Sequence, residues 1–216
     1  MAEVIELKGS DLAAMLCSRV CHDLISPVGA IGNGLEVLAD PTQAGMKDFA
    51  QELIVNSAKQ ARAKLEFARL AFGASSTAGT EIDTRDAEKV SASYVGSDKT
   101  QIDWKVPPML LPKNKVKMLL NMVLISVGCV PRGGTVTVVS EGAQGAEKLT
   151  ITATGTKTLV PNGVADLLAG TPKDGRIDAQ VIQPFYTGLL ARESGMELSI
   201  GLVDNVVTFA AWPKAA

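Results

Sequence analysis

LCSRVCHDLISPVGAIGNGLEVL, residues 16–38, holds the only histidine of the 216-residue chain, and its apolar spacing decides how the first third folds. Cys17, Cys21, Leu24, Val28, Ile31, Leu35 and Leu38 recur at alternating steps of four and three. That is a heptad seam on a single helix. The helical pattern begins near Ser10, where Ser10 or Asp11 can cap it, and Ala39-Asp40-Pro41 stops it. Both cysteines fall on the seam and read as small core residues. His22 and Asp23 then fall on the outer, solvated side, with Ser26 one turn beyond His22. Gly29 and Asn33 extend that side with small groups, leaving room for another protein to approach. Pro27 has no N–H, so it deprives the carbonyl of Asp23 of its donor and is expected to kink the helix.

A second helical stretch runs from about Ala44 to Phe72, with Ala50, Ile54, Ala58, Ala61, Leu65, Ala68 and Phe72 on one side. The two helices form an antiparallel hairpin, which cannot bury both apolar faces alone. Pairing with a second copy into a four-helix bundle is the simplest remedy, so a homodimer is expected. The small, polar run Gly73–Gly79 reads as a linker, dividing the chain into a hairpin at residues 1–76 and a second domain at residues 77–216. In that domain Asp86–Val95, Lys113–Val130 and Ile177–Arg192 read as helices. Gln101–Val106, Gly134–Ser140, Lys148–Thr154, Leu198–Val203 and Val206–Trp212 read as strands, the last two a hairpin around Asp204-Asn205. The predicted fold is therefore α plus α/β: a helical hairpin, then an α/β sandwich.

The formal net charge of −2 gives no electrostatic case for nucleic acid or an anionic membrane surface. No apolar run reaches the ~20 residues that span a bilayer. MAEVIELKGSD lacks the basic start and apolar core of a secretory signal, so the expected location is the cytoplasm. Three cysteines (Cys17, Cys21, Cys129) suit a reducing compartment. A metal held by Cys17, Cys21 and His22 lacks a second ligand cluster, and no metal site is expected.

An imidazole titrating near ~6.5 is largely neutral in the cytoplasm and has a nitrogen free to act as nucleophile. Asp23 can orient the ring or support the cation formed on attack, and Ser26 can hydrogen-bond a phosphoryl group or water. Arg19, about one turn before His22, either attracts an acidic partner or is a plain solvated arginine.

His22-Asp23-Leu24-Ile25-Ser26-Pro27 resembles the H-box of two-component sensor kinases, H-[DE]-L-x-[ST]-P, and the flanking SRVCHDLISPVGAIGNGLEVL resembles the ChpT family of alphaproteobacterial histidine phosphotransferases. The resemblance covers nearly the whole chain. It implies a dimerisation and phosphotransfer hairpin followed by a degenerate domain shaped like a kinase ATP-binding domain. It further implies that His22 takes a phosphoryl group from the receiver aspartate of a CckA-like hybrid kinase and hands it to CtrA-like and CpdR-like response regulators. Asp23 and Ser26 would assist, and Arg19, Gly29 and Asn33 would face the partner.

The kinase motifs are eroded. Asn121 and Gly133-Gly134 match the N-box, N-x-x-x-N-A-x-K followed by G-G, but Ile125 replaces the Mg²⁺-binding asparagine and Gly128 the lysine. Gly155-Thr156-Lys157 lacks the adenine-reading aspartate. Pro184-Phe185-Tyr186-Thr187 resembles the kinase P-F-Y-T segment, but Ser194-Gly195-Met196-Glu197-Leu198 replaces the glycine-rich phosphate loop, and Glu197 is expected to repel phosphates there. No cofactor and no ATP binding are expected, with Mg²⁺ supplied by the partner receiver. Two other readings stay open: an ATP-dependent histidine kinase with an atypical pocket, and a non-catalytic dimeric adaptor.

Overall fold

The computed structural model describes residues 4–73, 81–96, 99–143, 145–173 and 175–215. Helix α1 (Gly9–Ala39) runs as one helix through Pro27, and α2 (Lys47–Ala71) packs back along it after a 3-10 turn at Pro41–Met46. The Asp40 carboxylate accepts the Thr42 N–H, stopping α1 and shaping the turn, as the sequence predicts. Neither Ser10 nor Asp11 caps the start. Lys8 holds the N-cap position without a side-chain bond. The segment before it is pinned by the Ile5 N–H to Gly170 O bond and by Ile5 and Leu7 packing on Leu167, Ile182 and Phe185. Tertiary packing, not a capping side chain, sets where this helix begins.

The line along which α1 meets α2 differs from the predicted seam. It passes through buried Pro27 and Gly34 on α1 and Ala50, Ser57, Phe67 and Ala71 on α2. A Cβ on Gly34 would lie 2.6 Å from Ile54 Cγ1, so the missing side chain is what lets the helices approach there. Cys17, Cys21, Val28 and Leu35 are exposed, as are Ala58 and Leu65, so the cysteines are not core residues of the protomer. Helix α1 carries two adjacent apolar stripes, and periodicity does not say which of them the hairpin uses.

Beyond the hairpin come β1 (Glu81–Asp83), α3 (Thr84–Val95), β2 (Thr100–Lys105), β3 (Leu110–Pro112), α4 (Lys113–Gly128), β4 (Gly134–Glu141) and β5 (Lys148–Gly155). Then follow α5 (Val164–Ala169), α6 (Ile182–Glu193), β6 (Met196–Val203) and β7 (Val206–Pro213). Five strands form one sheet in the order β2-β4-β5-β7-β6, parallel only between β2 and β4, while β1 and β3 pair separately. Inward Val136, Val138, Leu149, Ile151, Val207 and Phe209 pack against Met118, Leu119 and Met122 of α4 and Leu190 of α6. Thr137, Thr152 and Thr208 sit side by side on the other face, so the alternation seen in the sequence is apolar towards the helices and hydroxyl-bearing away from them. At the entry to β4, Gly133 adopts φ +89°, and a side chain there would run into the Lys99 carbonyl.

The helix expected over Ile177–Arg192 starts only at Ile182, because the Asp178 carboxylate accepts the N–H groups of Gln180 and Val181 and holds a turn. Asp204 and Asn205 both take left-handed φ (48° and 61°) in the β6–β7 turn, as their types suggest. Residues 74–79 of the expected linker, and with them the division at 76/77, lie outside the described residues. No described helix is long and apolar enough to cross a membrane.

The two halves share a core. Phe67 and Ala71 at the end of α2 lie in one buried cluster with Ile82, Ala87, Leu111, Val116 and Leu120. Leu12 and Leu16 of α1 pack beside Leu167, Ile182 and Phe185. The junction fixes how the first helix is presented.

Candidate phosphoacceptor site

His22 stands on α1 with its side chain 78% exposed. Ser26, Gly29 and Asn33 follow along the same exposed face, and no atom lies within 4 Å of where a Gly29 Cβ would project. This is the open, small-sided surface the helical spacing predicts. Cys17 and Cys21 are exposed too, but among the described residues no three His, Cys, Asp or Glu side chains converge on a point that suits a metal ion.

Asp23 departs from its expected place. Its side chain is only 18% exposed, turned from solvent towards the hairpin and α3. Oδ1 lies 3.7 Å from His22 Nδ1, an ion-pair separation rather than a hydrogen bond, while Oδ2 accepts from Arg19 Nε at 3.3 Å. Arg19 is therefore neither a free partner-facing charge nor a solvated one; it is half-buried and anchors Asp23. The Asp23 carbonyl that Pro27 leaves without a helical donor accepts from Lys64 Nζ on α2 at 2.9 Å.

Tyr94 of α3 completes the surroundings. It lines a small cavity with Val20, Asp23, Leu24, Lys64 and Phe67, and its ring lies 4.6 Å from that of Phe67. Burial, with the Asp23 charge adding to it, pushes its hydroxyl up to about 12, so it is a proton donor at neutral pH. Lys64 and Tyr94 were not singled out from the sequence. The proline supplied a clue to the first, since an orphaned carbonyl calls for a donor, but nothing local supplies the second.

Chemically, the site pairs an accessible imidazole with a fixed carboxylate beside Nδ1. Such an arrangement can leave Nε2 to act as a nucleophile and place a carboxylate where positive charge on the ring would develop.

The residues compared with kinase nucleotide motifs lie elsewhere. Asn121 is fully buried: its Nδ2 donates to Lys117 O (2.9 Å) and Ala71 O (3.4 Å), and its Oδ1 accepts from Gln183 Nε2 (3.3 Å). Ile125 belongs to the main apolar core. Ser194–Leu198 is not a loop capping a helix but the turn from α6 into β6, where the Glu197 carboxylate accepts from Trp212 Nε1 at 3.1 Å. Cys129 is buried, with its thiol pushed up to about 11 by that burial, so it is unreactive.

An exposed helical histidine backed by a carboxylate, on a hairpin fused to an α/β sandwich, is the arrangement of a histidine phosphotransfer protein. Residues 84–205 match the histidine phosphotransferase C-terminal domain family. The chain is 46% identical over 211 residues to the protein phosphotransferase ChpT of Brucella abortus (strain 2308), across 98% of this chain and all of that one. A solved bacterial phosphotransferase superposes with a TM-score of 0.88 at 45% identity, covering 97% of this chain and all of the other. The chain belongs to the ChpT family of histidine phosphotransferases.

Proposed function

We propose that this protein relays phosphoryl groups through His22, accepting from the receiver aspartate of a CckA-like hybrid kinase and donating to CtrA-like and CpdR-like response regulators. The observation that carries this is an exposed His22 with the Asp23 carboxylate beside Nδ1 and small residues around it. In the accepting step His22 Nε2 attacks the phosphorus of the aspartyl phosphate, the N–P bond forms as the P–O bond breaks, and the receiver carboxylate leaves with the electron pair. Donation is the reverse. The receiver brings its own Mg²⁺, so positioning is this protein's main contribution. Ser26 would bond the transferring group, and Gly29 and Asn33 would contact the receiver.

The reading excludes ATP as the donor. It is supported by Ile125 in the core, where no cation ligand remains, and by an Asn121 amide fully committed to Lys117, Ala71 and Gln183. A homodimer is part of the proposal: Ile25, Val28 and Leu35 on α1 and Val55 and Leu65 on α2 are half or more exposed and suit a four-helix bundle in the cytoplasm.

The test follows an acid-labile phosphoryl group on wild type and His22→Ala, each mixed with ATP and Mg²⁺ alone or with a phosphorylated receiver domain. Label arriving only from the receiver, and absent in the variant, is expected. Label from ATP alone would make the protein a kinase; label from neither source would make it an adaptor.

A further inference from the structure

Asp23 is held more firmly than a solvated counter-ion needs to be. Arg19 on α1 grips Oδ2, Lys64 on α2 grips the main-chain carbonyl, and Tyr94 on α3 lines the same small cavity as the Asp23 side chain, near enough for the carboxylate charge to act on its hydroxyl. Three elements converge on the residue next to a freely exposed imidazole. Two belong to the hairpin. The third comes from the α/β half, whose α4 lines the same cavity through Leu124.

We propose that Tyr94 is a positioning residue for phosphotransfer: its hydroxyl fixes the Asp23 carboxylate so that Oδ1 stays beside His22 Nδ1. The proposal rests on the reading of His22 as phosphoacceptor and assigns the α/β domain a part in the chemistry that needs no nucleotide. As Nε2 takes up the phosphoryl group the ring gains positive charge, and a carboxylate already in place meets that charge without reorganising. Without the hydroxyl, Asp23 keeps Arg19 but loses the constraint from the other side. It can then rotate into solvent, where its charge does less for the ring. Phe67 supports the geometry by packing against the Tyr94 ring at 4.6 Å, so Tyr94→Phe removes the hydroxyl while keeping the packing.

The test uses the full-length protein and potassium phosphoramidate, which phosphorylates histidine directly: Nε2 attacks phosphorus, the P–N bond breaks and ammonia leaves. Rates are compared for wild type, Tyr94→Phe, Asp23→Asn and the double variant. Tyr94→Phe is expected to be about tenfold slower, and to slow nothing further when Asp23 is already Asn. Because His22 is the only histidine in the chain, the ¹⁵N spectrum of the imidazole reads its tautomer populations without ambiguity. Those populations should move in Tyr94→Phe in the direction seen in Asp23→Asn, with the amide spectrum otherwise native. A wild-type rate in Tyr94→Phe, additive slowing in the double variant, or an unchanged imidazole spectrum would each overturn the proposal. The imidazole spectrum needs no phosphodonor and decides by itself should His22 take no label. Labelling by phosphoramidate but not by any phosphorylated receiver would instead sink the relay reading and leave the positioning role standing.

Discussion

At the scale of single residues, the site shows how one local irregularity is compensated from a distance. Pro27 removes the N–H that would have satisfied the Asp23 carbonyl, and Lys64, far along the chain, donates in its place. Lys64→Met leaves that carbonyl half-buried without a partner. It should lower stability by about 1–3 kcal/mol in urea unfolding, whereas the same change at exposed Lys59 should be near neutral. The sequence exposed His22, Ser26, Gly29 and Asn33 correctly because a helix fixes which neighbours share a face. It misplaced Asp23 and Arg19 because their burial depends on α2 and α3 packing alongside, which no local spacing encodes. Tyr94 was out of reach for the same reason: its partner lies in the other half of the chain.

At the scale of elements, glycines and a buried ion pair set how helices and strands meet. Gly34→Ala puts a methyl 2.6 Å from Ile54 Cγ1 and 3.1 Å from Ala50 O, so α1 and α2 must separate, at about 1–3 kcal/mol. Gly29→Ala meets nothing and should instead stabilise the protein by about 0.5–1 kcal/mol through helix propensity. Thermal melts of the two variants should shift in opposite directions. At the start of α4, buried Lys115 donates to Glu147 Oε2 at 2.9 Å, tying the helix to the β4–β5 turn. Burial works against the Glu147 charge, yet the Gly145 N–H and the Lys115 ammonium outweigh it and hold the carboxyl below its ordinary 4.5. A lowered carboxylate stabilises the fold fully above pH 4.5, and that contribution is lost as pH falls through the folded value below it. Glu147→Gln, which leaves Lys115 uncompensated, should cost about 3 kcal/mol at pH 7 and progressively less in acid. Long periodic elements were legible from the residues alone. The three-residue strands β1 and β3 were not, since their pairing with each other defines them, and α5 is only six residues set between two left-handed glycines, Gly163 and Gly170.

At the scale of the whole molecule, the hairpin and the sandwich share buried core and are expected to unfold together. Leu120 of α4 lies in the same cluster as Phe67 and Ala71 of α2. Leu120→Ala should therefore cost about 2–5 kcal/mol and lower amide-exchange protection in α2 as well as α4, within a single unfolding transition. Separate transitions for the two halves would contradict that coupling. The overall plan of helices followed by strands was legible because the hydrophobic period changes along the chain. The shared core was not, because a period records what one element buries and never which other element it is buried against. That core also bears on recombination. A chimera cut just after α2 would strip Phe67 and Ala71 of their neighbours, so this hairpin is not a cassette to be traded between signalling proteins.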